Sequence, residues 1–115
     1  MVRVTRFDHV HLAVSDLDRA LRFYEEAFGA EASFRVDDLV FIKLAGGAGV
    51  IALDARPEDR RNPSHIGLTL AEDEDLDTAV RALERAGGHL VERSEHAPGI
   101  PYAYVADPDG NVFEL

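Results

Sequence analysis

His65 repeats the setting of His9. The stretches "HVHLAV" (9–14) and "HIGLTL" (65–70) both open on histidine and then place apolar residues at alternate positions. Side chains on a strand alternate between faces, so Val10, Leu12 and Val14 share one side and His9, His11 and Ala13 the other. By the same parity Ile66, Leu68 and Leu70 oppose His65, Gly67 and Thr69, and in "NVFEL" (111–115) the apolar pair Phe113 and Leu115 turns Val112 and Glu114 the other way. If helices cover the apolar side, two imidazoles and a carboxylate face one interior. Such a 2-His-1-carboxylate set leaves coordination positions open on one divalent ion, and Fe, Mn, Ni, Co and Zn all accept it. That ion would polarise substrate oxygens or lower the pKa of bound water. The chain has no cysteine, so thiolate ligands, thiolate nucleophiles and disulfides are excluded.

Two further groups are candidate catalytic residues. His11 lies one strand step from His9, as general base, hydrogen-bond donor or pocket wall. Tyr104 and Tyr102 alternate in phase ahead of the turn "DPDG" and are placed to hydrogen-bond a substrate oxygen. Asp54 is in phase with Ala52 at the end of its strand. Ser94, Glu95 and His96 stand beside Pro98 and Gly99 and read as a loop suited to specificity. His89 opens a strand and reads as exposed.

The elements that must aim these residues come in two copies. "SDLDRALRFYEEAFG" puts Leu17, Ala20, Leu21, Tyr24 and Phe28 on one helical face, with Ser15 or Asp16 to cap it and Gly29 to end it. "AEASFRV", "LVFIKLA" and "VIALDA" follow as strands. After the polar stretch "RPEDRRNPS" the order restarts: "SHIGLTL", then the helix "LDTAVRALERAGG" with Leu76, Ala79, Val80, Leu83 and Ala86 on one face, then "HLVERSEH", "YAYVA" and "NVFEL". The fold class is α+β: two βαβββ modules, about 5–54 and 64–115 with a linker at about 55–63, forming a curved mixed sheet with helices outside. Halves of about 50 residues do not close separate cores, which predicts one domain over 1–115.

A formal charge of -10 opposes binding to nucleic acid and to anionic membrane surfaces. No apolar run reaches the roughly 20 residues that span a bilayer, and the N-terminus has no signal-like apolar region, so a cytoplasmic location is expected. "EDEDLD" lacks the spacing of a calcium loop and reads as the solvated start of a helix.

"DHVHLAVSDLDRALRFYEEAFG" and "YVADPDGNVFEL" resemble the opening and closing segments of the vicinal oxygen chelate superfamily, which holds glyoxalase I, bleomycin-resistance proteins, fosfomycin-resistance thiol transferases and extradiol dioxygenases. The resemblance implies the glyoxalase/bleomycin-resistance/dioxygenase fold, with His9, His65 and Glu114 as metal ligands and Tyr104 as a pocket tyrosine. It implies a metal-dependent enzyme, dioxygenase-like or glyoxalase/lyase-like, whose partner is a small oxygenated substrate. The alternatives are a metal-free protein that sequesters a ligand, as bleomycin-resistance members do, and a fosfomycin-type thiol transferase. Relatives assemble as homodimers, some with exchanged modules. Glyoxalase I carries a fourth ligand, a glutamate, where this chain has Ala52.

Overall fold

A computed structural model describes residues 1, 3, 5, 7–56, 62, 63 and 65–115. Residues 57–61, the middle of the expected linker, lie outside them. Along the chain run β1 (Val10–Ala13), α1 (Leu17–Phe28), β2 (Glu31–Val36), β3 (Leu39–Lys43), β4 (Val50–Asp54), β5 (Ile66–Gly67), α2 (Leu76–Arg85), β6 (His89–Ala97), β7 (Ile100–Ala106) and β8 (Val112–Glu114). Two βαβββ units are therefore present, as the sequence predicts.

Each unit forms a four-stranded sheet of the same order, β1-β4-β3-β2 and β5-β8-β7-β6. Among the described residues, only the pairs β1–β4 and β5–β8 are parallel. Register shows how closely the copies correspond. His11 pairs with Ala52 in one sheet, and Gly67 pairs with Glu114 in the other. Ala52 and Glu114 are thus equivalent positions, as are His9 and His65.

The apolar side of each strand makes the core. Leu12, Val14, Val40, Ile42, Ile51, Leu53, Val105 and Phe113 are buried under the helices. Helix α1 is capped by Asp16, which accepts from the Arg19 amide at 3.0 Å, and it ends at Gly29 in the left-handed region (φ 58°). Helix α2 is capped by Asp75, which accepts from the Thr78 amide at 3.0 Å and whose carboxyl that bond holds below the usual range. Phe23, outside the apolar stripe read from the sequence, is buried with Leu17, Ala20 and Tyr24. Its ring fills the space against Gly88, where an added Cβ would stand 2.9 Å from Phe23 Cε1 and 2.8 Å from the Ala106 carbonyl. Phe23, Tyr24 and Phe28 of α1 and Phe113 of β8 form one aromatic cluster, with Phe113 centred 6.0 Å from Tyr24 and 5.7 Å from Phe28.

Polar contacts tie the same two regions together. Asp109, in the turn before β8, accepts from the Ser15 amide and the Arg19 guanidinium at 2.9 Å each. Asn62 holds both polar atoms of the Ala13 backbone and contacts Asn111. Buried Asp107 accepts from the Tyr24 hydroxyl at 2.8 Å and from Asn111 Nδ2 at 2.7 Å. Burial, then the Asp107 charge, pushes the Tyr24 hydroxyl far above its ordinary value. Because the raised group is favoured in its protonated form, its contribution is complete below the unfolded tyrosine value near pH 10 and is lost as pH rises above it. Tyr24→Phe should cost about 1.5–3 kcal/mol in urea unfolding at pH 7, the usual range for a hydrogen bond to a charged group. It should also flatten the loss of stability expected of the unmodified chain above pH 10.

Among the described residues, no helix is long and apolar enough to cross a membrane.

Candidate metal centre

β8 is short and lies between β5 and β7, so Glu114 is flanked on both sides on the face opposite the core. His65, just before β5, places Nε2 3.4 Å from Glu114 Oε2. Donors that each sit about 2.0–2.2 Å from one ion lie roughly 3 Å apart, so this pair fits two corners of a coordination shell. The nitrogen and oxygen donors suit a first-row divalent ion. Tyr104 pairs directly with Glu114 across β7–β8, so its hydroxyl feels the carboxylate's charge. The Tyr104 ring also meets His65 edge-on at 5.3 Å.

His96 completes this group, whereas the sequence reading assigns it only a specificity role in a loop. Residues 94–96 are not a loop: β6 continues to Ala97, because Pro98 and Gly99 form a minimal two-residue hairpin turn with Gly99 at φ 80°. The dipeptide "PG" between two β-rich runs was the available signal. His96 Nε2 lies 2.7 Å from Glu114 Oε1. That hydrogen bond is the main reason the Glu114 carboxyl is held below its ordinary range, with Tyr104 and the charge of His65 as smaller causes. Desolvation and the neighbouring Glu114 charge raise the Tyr104 hydroxyl, so it stays a donor at neutral pH. Tyr102 stacks on His96 with centroids 4.2 Å apart.

His9 stands in the other module, in a setting that mirrors His65. It meets Phe41 edge-on at 5.2 Å and 70°, and His65 meets Tyr104 at 5.3 Å and 72°. Phe41 pairs with Ala52 as Tyr104 pairs with Glu114. One module therefore presents a histidine over an apolar wall, and the other a histidine over a carboxylate and a hydroxyl. His9 Nδ1 bonds Asp8 Oδ2 at 2.8 Å. Since an ionised carboxylate only accepts, the proton is on Nδ1 and the free lone pair on Nε2, the tautomer in which a carboxylate-oriented histidine can accept a metal. His9 and His65 line one groove of about 450 Å³ with Phe7, Pro63 and Phe113. Among the described residues, no three histidine or carboxylate side chains of a single chain are arranged to hold an ion.

His11 bonds Asp54 instead. His11 Nε2 lies 2.8 Å from Asp54 Oδ2, and Asp54, fully buried, also accepts from the Arg56 amide at 3.0 Å and pairs with its guanidinium. Asp54 is thus committed to Arg56 and His11, and the proton on His11 Nε2 leaves Nδ1 as its accepting nitrogen. His89 is exposed, as expected.

Comparison with known proteins agrees with this architecture. Residues 6–115 match the model of the Glyoxalase/Bleomycin resistance protein/Dioxygenase superfamily. The chain is 29% identical to the metallothiol transferase FosB of Lysinibacillus sphaericus, over 97% of this chain and 82% of that protein. It is 25% identical to a manganese-dependent 2,3-dihydroxybiphenyl 1,2-dioxygenase of Geobacillus genomosp. 3, over 97% of this chain and 36% of that one. The crystal structure of the fosfomycin resistance protein FosX from Listeria monocytogenes shares the fold, with a TM-score of 0.80 at 22% identity, covering 98% of this chain and 93% of that one. With two matching βαβββ units and a family match over nearly its whole length, the chain belongs to the Glyoxalase/Bleomycin resistance protein/Dioxygenase superfamily.

Proposed function

We propose that the chain is a metal-dependent enzyme that binds a small substrate through adjacent oxygens, with His65 and Glu114 of one copy and His9 of a second copy holding one divalent ion. The observation that carries this reading is the His65–Glu114 pair, spaced for two ligands and backed by Tyr104 and His96. A bound ion there supplies polarisation of substrate oxygens or an acidified water. Tyr104 donates a hydrogen bond to a substrate oxygen, and His11, oriented by Asp54, offers Nδ1 as a proton acceptor.

Two features support a second copy. Asp8 prepares His9 as a ligand although its own chain completes no three-residue set among the described residues. In addition, Phe34, Val36, Leu90, Val91 and Ile100 are exposed on or beside β2 and β6, apolar surface that an assembly covers. The FosB likeness favours a more specific second reading, thiol transfer to a small oxygenated electrophile, over dioxygenase-like or glyoxalase-like chemistry. Thiol consumption with fosfomycin, oxygen uptake with catechols and hemithioacetal isomerisation separate these three.

The shared site has a direct test. Chains carrying His9→Ala or Glu114→Gln should each bind no ion alone. Unfolded together in equal amounts and refolded, they should recover about a quarter of the wild-type sites, because half of the dimers are mixed and each mixed dimer holds one intact site. Metal binding by wild type without any recovery in the mixture rules out the two-copy arrangement.

A further inference from the structure

A carboxylate ligand has two oxygens, and whether one or both bind decides how much of the shell remains for substrate. In this chain the two oxygens of Glu114 have different neighbours. Oε2 faces His65 Nε2 at 3.4 Å, and Oε1 is 2.7 Å from His96 Nε2. An ionised carboxylate cannot donate, so His96 Nε2 carries the proton of this bond.

The fold fixes His96 in that position. Glu95 pairs with Pro101 and Ala97 with Ile100, which leaves His96 as the extra residue of a β-bulge with no partner on β7. Bulges of this kind re-aim a side chain beside a functional site. The His96 ring lies nearly parallel to Tyr102, at 18°, Tyr102 meets Tyr104 edge-on at 5.4 Å, and Tyr104 meets His65 at 5.3 Å. A continuous series of four rings therefore borders Glu114, with the bulged histidine at one end and the proposed ligand His65 at the other.

We infer that His96 is a positioning residue that engages Glu114 Oε1 and so keeps Glu114 a one-oxygen ligand through Oε2, reserving coordination positions for a substrate with two adjacent oxygens. The inference rests on the proposed metal site at His65 and Glu114. It assigns His96 no contact with the ion itself. Partners of this type that orient a ligand typically change metal affinity by about 10–100-fold when removed.

The test is a Co²⁺ titration of the full chain, followed by calorimetry and visible absorption, on wild type, His96→Phe, His96→Gln, His65→Ala and Glu114→Gln. His96→Phe keeps a ring to stack on Tyr102 and removes the N–H, whereas His96→Gln restores an N–H donor. The expected result is an affinity loss of about 10–100-fold in His96→Phe, partial recovery in His96→Gln, and a Co²⁺ spectrum in His96→Phe shifted toward higher coordination as Oε1 becomes free to bind. The melting temperature without metal should be unchanged. His96→Leu replaces His96→Phe if the latter does not fold. Wild-type affinity and spectrum in His96→Phe overturn the inference. So does a complete loss without rescue by glutamine, which would make His96 a ligand. Co²⁺ binding retained in both His65→Ala and Glu114→Gln, or absent from wild type, defeats the metal site itself and this inference with it.

Discussion

Glu114→Gln is expected to reduce affinity for a divalent ion by more than about 100-fold, beyond the range for residues that merely orient a ligand. The substitution keeps shape and an acceptor oxygen for His96, and removes the charge that a hard or borderline ion requires of its oxygen donor. His65→Ala should act as strongly, because it removes the other ligand from the same chain. The measurement is metal content of untagged protein after gel filtration, with melting of the metal-free chain as the control for folding. Glu114 and His65 are both partly exposed and outside the buried core, so that melting temperature should move little. Stoichiometric metal surviving in both variants would end the proposed chemistry. Loss of metal together with collapse of the fold would instead mean that the pair is structural.

Phe113→Ala carries the largest expected cost in stability, about 3–5 kcal/mol for deleting a buried aromatic ring. Phe113 is almost fully buried, touches Tyr24 and Phe28 of the first module, and lies on the strand of Glu114. A typical domain has only about 5–15 kcal/mol in total, so the variant would stand near the threshold of folding. Phe113→Leu, which keeps most of the apolar contact, should cost less. Urea unfolding curves give both values. A cost of under about 1 kcal/mol for the alanine variant would contradict the close-packed cluster, whose loss creates a cavity.

Much of the architecture was legible because alternation and repetition are local signals. The parity of "HVHLAV" and "HIGLTL" placed Leu12 and Val14 in the core, and the Asp16 and Gly29 helix boundaries followed from capping chemistry. The partners of the site residues were less legible, because they depend on register between distant strands. Nothing in the pattern around His11 announces that β1–β4 pairing sets Ala13 beside Asp54, and thus Asp54 within reach of His11. His96 was misplaced because proline and glycine were read as marking a loop when they form the tightest hairpin turn. Phe23 was missed because α1 buries a wider stripe than one helical face, packing against Gly88 of the second module. Periodicity is also silent on whether the proposed role of His9 is played within one chain or across two copies, since His9 keeps the same parity in either case.

The mixed origin of the aromatic cluster, three rings from α1 and one from β8, bears on how this chain can be divided. A gene cut between residues 56 and 62 yields two fragments, each with an uncovered oily surface and neither with a finished interior. Such fragments are expected to be poorly soluble apart and to regain the fold only when both are present, the behaviour a split reporter needs.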